Sequence, residues 1–186
     1  MPTVLVPLAP GFEELEAMTI IDVLRRGGIE VISAGLVSGP VRASRATVHI
    51  PDTDLDIALT REYDMVVLPG GLPGSDYLAQ DPRIIALLQR MALAGRFTAA
   101  ICAAPKALAE AGLLAGKRAT AYPGVLESLS LPDTVSPLEE SVVQDGQVIT
   151  SRGPGTALDF ALTLVEVLAG AATRKQVASD LLYPEA

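Results

Sequence analysis

Three short runs, Val4-Leu5-Val6, Met65-Val66-Val67-Leu68 and Ala99-Ala100-Ile101, are apolar without interruption. A strand with one solvated face alternates apolar and polar residues, whereas a strand that does not alternate must be covered on both faces. The stretches between these runs are amphipathic. Glu13 to Arg26 places Leu15, Met18, Ile21 and Leu24 at helical spacing, with carboxylates at its front, arginines at its back and Gly27-Gly28 to stop it. Buried strand and amphipathic helix alternate along the whole chain, which predicts an α/β fold.

Strands are predicted over 3–8, 29–36, 65–68 and 97–101, with later ones over 117–122, 141–143 and 147–150. Helices are predicted over 13–26, over 82–93 with Pro82 suited to a first turn, and over 156–168. Ala103 to Ala109 is alanine-rich and helical, and a shorter helix closes the chain. Val41 to Ile50 reads as a hairpin arm or edge ribbon. No repeat, low-complexity segment or linker divides the 186 residues, so 1–186 is read as one domain, long enough to bury a sizeable core.

Fourteen basic against twenty-two acidic residues leave a formal net charge of −8, which argues against a phosphate backbone as partner. Nucleic acid is therefore not expected. A single cysteine excludes an intramolecular disulfide, and with a single histidine it leaves too few ligands for a thiolate or imidazole metal cage. The expectation is cytoplasmic chemistry with no metal and no cofactor. No run approaches the roughly 20 apolar residues of a membrane span. The first apolar run has no basic region before it and reads as a strand, not a signal peptide.

Candidate chemistry gathers at strand ends. Cys102 stands where the apolar segment 97–101 gives way to the helical segment 103–109. A strand that turns abruptly into a helix pushes the corner side chain out of the sheet, toward the free N–H groups that open the helix. This nucleophile-elbow setting predicts an exposed thiol that titrates well below a free thiol; the plainer reading is a buried structural cysteine. Pro10-Gly11-Phe12-Glu13-Glu14-Leu15-Glu16 puts three carboxylates in the first turn of a helix. Glu13 and Glu14 serve there as dipole partners, and Glu16, on another side of the helix, faces the strand ends as a protonated or proton-sharing acid.

Leu68-Pro69-Gly70-Gly71-Leu72-Pro73-Gly74 follows a buried strand, and its glycines either bring backbone N–H groups close to a ligand or make a plain tight turn. The segment matches neither a dinucleotide fingerprint nor a Walker loop. Ser151 to Thr156 reads as a loop with a helix cap, or as a pocket wall. His49, between Val48 and Ile50, is expected to face away from the apolar side of its ribbon in a structural or surface role.

Taken together, Ala9-Pro10-Gly11 with Glu13 to Glu16, Arg25 to Ile29, Ala43-Ser44-Arg45, Tyr63-Asp64 with Val67 to Gly71, Ala99 to Pro105 and Thr150 to Thr156 carry a resemblance. The chain resembles the ThiJ/PfpI superfamily nearly end to end, on the branch of the Parkinsonism-associated protein deglycase and the bacterial YajL-like proteins. The resemblance implies a flavodoxin-like α/β sandwich with a mostly parallel central sheet, helices on both faces and a nucleophile elbow, and a homodimer. It implies that Cys102 is the reactive, oxidation-prone cysteine and Glu16 the protonated glutamate bonded to its sulfur. Gly70, Gly71 and Ala103 then form the backbone site for an oxyanion or sulfinate, and Arg26 and Arg45 lie near the pocket and the dimer interface, able to receive a small anion. Tyr122, before Pro123, stands where some relatives have a histidine, so no Cys-His pair is supplied by motif. The residue after the cysteine is Ala103, where the protease-like branch has histidine, and protease activity is not expected.

Two functions of different class follow from the resemblance. One is a cofactor-free glyoxalase or deglycase with a stress-protective role, acting on methylglyoxal, glyoxal or their early adducts. The other is a redox sensor or oxidative-stress chaperone that works through oxidation of Cys102.

Overall fold

The computed structural model describes residues 1–132 and 134–184. The chain runs β1 (Thr3–Leu8), α1 (Glu14–Arg26), β2 (Glu30–Gly35), β3 (Val41–Arg42), β4 (Val48–His49), β5 (Thr53–Asp54), α2 (Leu55–Ala58), β6 (Met65–Leu68) and α3 (Gly74–Gln80). It continues through α4 (Pro82–Leu93), β7 (Phe97–Ile101), α5 (Pro105–Glu110), β8 (Arg118–Ala119), β9 (Ser136–Pro137), β10 (Val142–Asp145) and β11 (Val148–Ser151). A 3-10 turn at Pro154–Thr156 leads into α6 (Ala157–Ala169) and α7 (Ala171–Asp180).

Seven strands form one sheet in the order β10-β11-β7-β6-β1-β2-β5, parallel throughout except for the edge pair β10 and β11. The unbroken apolar runs are explained by two cores. Val4, Val6, Leu8, Met65 and Val67 point into a layer with Ala17, Ile20 and Leu24 of α1 and Phe160, Leu164 and Val165 of α6. Leu5, Val66, Leu68 and Ala100 point the other way, onto Leu55 of α2, Leu78 of α3, Ile84 and Leu88 of α4 and Leu108 of α5. Side chains of period two thus feed opposite faces, and neither face is left to water.

Local chemistry sets the helix ends. Pro82 occupies the first turn of α4, and the Asp81 carboxylate accepts the Arg83 N–H at 2.9 Å, a side-chain cap. The ribbon read over 41–50 is present as the antiparallel pair β3 and β4, outside the main sheet. The strand expected over 117–122 shrinks to β8, which pairs with β9 and not with the main sheet. The cause is local: the Thr120 N–H goes to Thr150 Oγ1 and the Tyr122 N–H to the Cys102 carbonyl, so these donors are not free for a ladder.

Candidate functional site

From β1 the chain moves outward to β2 and β5, then returns to β6 and proceeds in the opposite direction to β7 and β11. The carboxyl ends of β1 and β6 flank that reversal, which is where open α/β sheets form their ligand crevice. Three loops meet there, after β1, after β6 and after β7.

The β7 loop begins with Cys102, whose φ of +62° lies in the left-handed region that an L side chain rarely adopts. Neighbours on both sides fix it. Its N–H donates to the Ser151 carbonyl at 2.9 Å, and its own carbonyl accepts the Tyr122 N–H at 2.8 Å. The expected corner is there, but the expected exposure is not: Cys102 is only 9% accessible, because the loops after β1 and β6 close over it.

The β6 loop supplies the closest packing. Gly70 donates its N–H to Glu16 Oε2 at 2.7 Å. A Cβ at Gly70 would stand 2.6 Å from both the Cys102 Cβ and Glu16 Oε2, so only glycine lets thiol and carboxyl meet across this loop. Gly71, at φ +90°, has the Glu13 backbone nitrogen where its Cβ would be, at 2.3 Å. The Glu13 N–H in turn donates to the Gly70 carbonyl at 2.9 Å, which pins the start of α1 to the β6 loop.

Glu16 sits two residues into α1 with no accessible surface, and its Oε1 has no hydrogen-bond partner among the described residues. Burial raises its proton affinity most; the Gly70 N–H and the Cys102 side chain lower it, and the Glu13 charge raises it again, leaving the carboxyl up at about 7. The Cys102 thiol is pushed up to about 12, first by burial and then by the Glu16 carboxylate, while the backbone N–H groups of Gly71 and Ala103 work in the other direction. The expectation of a thiol far below its ordinary range is therefore corrected, since helix-start donors do not outweigh desolvation beside a carboxylate. Between about 7 and about 12 the two groups hold one proton between them, and below about 7 they hold two.

Glu13 and Glu14 differ from the expected solvated caps. Glu13 is buried and accepts from Ser44 Oγ at 2.8 Å. Glu14 accepts from the Arg45 N–H and Thr47 Oγ1 at 3.0 and 2.9 Å. Although desolvation works against it, backbone N–H groups of Glu14 and Arg45 and the Thr47 and Ser44 hydroxyls hold it down at about 2. The β3–β4 ribbon is thereby fastened to the start of α1.

Cys102, Glu16, Gly70, Gly71 and Ala103 are thus brought together. Arg45 lies on the turn of the ribbon next to Glu14. Tyr122 touches the site through its backbone, while its half-exposed ring leans on Gly153 and lines a cavity of about 140 Å³ with Arg152, Leu126 and Leu138. Arg26 is not brought in. It ends α1, ten residues beyond Glu16 and so about 15 Å along the helix axis, where it pairs with Asp22 at 2.8 Å. His49 packs edge-on to Phe12 with ring centroids 5.4 Å apart, and its Nε2 shares a hydrogen bond with Thr47 Oγ1. It faces the apolar Phe12, contrary to expectation, and serves structure. Sequence reasoning missed Ser151 as the acceptor for the Cys102 N–H and Ser44 as the tie on Glu13. Both join residues more than 30 apart, Ser151 at the end of β11 and Ser44 on a loop, with no local signal.

Fold and corner together define a class, the flavodoxin-like α/β proteins whose strand-to-helix elbow carries a cysteine. Residues 2–167 match the model of the DJ-1/PfpI family, and the chain belongs to that family. Protein DJ-1alpha of Drosophila melanogaster is 47% identical over 182 residues, covering 96% of this chain and 83% of that one. The glutathione-independent glyoxalase DJR-1.2 of Caenorhabditis elegans is 38% identical over 158 residues, 85% of this chain and 83% of that one. The crystal structure of Drosophila melanogaster DJ-1beta superposes with a TM-score of 0.94 at 44% identity, covering 99% of each chain.

Proposed function

We propose that the chain is a cysteine-dependent glyoxalase of the cofactor-free kind, with methylglyoxal, glyoxal or their early adducts as substrates. The observation that carries this reading is the buried Cys102–Glu16 pair, which meets across Gly70 beside Gly71 and Ala103. In the tautomer with thiolate and carboxylic acid, Sγ adds to the aldehyde carbon and the Glu16 proton passes to the aldehyde oxygen. The product is a hemithioacetal, and Glu16 is left as a carboxylate. Gly71 and Ala103 hold the oxygen while its charge develops.

The carboxylate then removes the hydrogen on the sulfur-bearing carbon as a proton and returns it to the neighbouring carbon, as the hydroxyl proton moves to the neighbouring oxygen. This internal redox step converts the hemithioacetal of methylglyoxal to the thioester of lactate without an external oxidant. Water cleaves the thioester, releasing lactate and restoring the pair. A carboxyl held up at about 7 suits a group that must both give and take a proton near neutrality. The Caenorhabditis elegans relative bearing the glyoxalase name supports the same reading.

The test is lactate formation from methylglyoxal in the absence of glutathione. Many turnovers in the native chain and none in Cys102→Ser are expected; consumption of no more than one equivalent of aldehyde per chain would exclude the enzyme. The N–H groups that face the sulfur favour a second reading, because they would equally hold the oxygens of a sulfinate. Selective peroxide oxidation of Cys102 in a chain without turnover would support a redox sensor. We also take the chain to act in the cytoplasm as a homodimer, with Leu15 of α1, Val48 and Ile50 as exposed apolar residues for a second copy to cover.

A further inference from the structure

We propose that the Lys106–Asp76 ion pair is a clamp that sets the spacing of the two backbone donors facing Cys102. Lys106 Nζ meets Asp76 Oδ1 at 2.6 Å and joins α5 to α3. Each partner stands in the first turn of a helix whose preceding loop supplies one donor. Lys106 reaches back from its N–H to the Ala103 carbonyl at 3.4 Å, and Ser75, next to Asp76, donates its N–H to the Gly71 carbonyl at 2.9 Å. Gly71 and Ala103 flank the thiol, Gly71 on the loop whose Gly70 has no room for a Cβ against the Cys102 Cβ and Ala103 as the next residue of the corner, and their N–H groups favour the ionised sulfur.

These helices have little rigidity of their own. α3 has seven residues and α5 six, neither has a side-chain cap at its start, and helices this short are marginal without tertiary ties. The pair lines a surface cleft with Gln80, Gln89 and Glu110, and Cys102 is not part of that lining. Lys106 and Asp76 are therefore positioning residues, acting through the Ala103 and Gly71 backbone. The assignment rests on the ties from α3 and α5 to the Gly71 and Ala103 backbone beside the thiol and not on the identity of the substrate.

The experiment compares rates of Cys102 alkylation by iodoacetamide at one neutral pH, well below the melting temperature, in five proteins. These are the native chain, Lys106→Met, Asp76→Asn, Lys106→Arg and the swap Lys106→Asp with Asp76→Lys. Loss of the clamp slows both neutralising variants in the same direction, by about five-fold, while Lys106→Arg and the swap stay within about two-fold of native. A charge acting through space would instead move Lys106→Met and Asp76→Asn in opposite directions, which overturns the clamp. Unchanged rates with lowered melting temperatures would reduce the pair to a stabilising contact and also overturn it, as would a Lys106→Arg variant as slow as Lys106→Met. Methylglyoxal turnover is measured on the same samples. Its absence from the native chain counts against the glyoxalase and leaves the alkylation comparison intact.

Discussion

Replacing Glu16 with glutamine tests the central claim about the site, that a carboxyl is buried there at the cost of its charge. The amide keeps the shape, can still accept from Gly70 N–H, and does not titrate. In the folded chain Glu16 is raised from the ordinary 4.5 to about 7, chiefly by burial. Between those values the folded chain keeps a proton that the unfolded chain has released. The native state then binds more protons than the unfolded state, so stability falls as pH rises through that window, and below it the penalty is absent. At 1.36 kcal/mol per tenfold change in proton affinity, the interval from 4.5 to about 7 amounts to about 3 kcal/mol. Urea unfolding at about pH 4 and about pH 8 should show the native chain losing about 3 kcal/mol more than Glu16→Gln over this range, at equal protein concentration. Parallel curves, separated by a constant, would refute the reasoning, since Glu16 would then carry its charge in the fold without penalty.

Gly70→Ala should destabilise the fold by about 1–3 kcal/mol, because a new methyl cannot share the space of the Cys102 Cβ and Glu16 Oε2; it should also slow iodoacetamide alkylation of Cys102 roughly ten-fold, and an alanine variant of native stability would show that the β6 loop yields freely. Tyr122→Phe should keep methylglyoxal turnover within about three-fold of native, because Tyr122 reaches the site through its backbone while its ring lines a separate cavity. Collapse of turnover in that variant with circular dichroism unchanged would make the phenol a participant. Light scattering at micromolar concentration should return twice the 19.3 kDa chain mass, and the single-chain value would remove the homodimer.

Much of the fold is legible in the sequence because it depends on burial on both faces. Met65 to Leu68 has no polar residue to place outward, so the strand and its central position follow from residue types alone. Asp81-Pro82 likewise announces α4 within a few residues. The elements that escaped, β5, α2, α3 and β9, are two to seven residues long, and tertiary packing holds them more than any local pattern does. At the site, the corner at Cys102 and the inward turn of Glu16 follow from spacing. Their proton affinities do not, since these depend on how completely the loops after β1 and β6 exclude water. Arg26 shows the opposite limit. The resemblance put it near the pocket and the dimer interface, yet α1 is one uninterrupted helix that carries it to the far end from Glu16 within this chain.

A backbone at φ +62° is where glycine is at ease, and a side chain there is held against a cost of about 1–3 kcal/mol. Glycine at this corner would relieve the backbone and give up only the small buried Cβ–Sγ of one core residue, so selection for folding alone gives little reason to keep Cys102. A thiol persists at position 102 only while what the sulfur does is itself under selection. The same logic binds an engineer: a library screened for heat resistance would strip this corner early, yielding a tougher protein with nothing left to react.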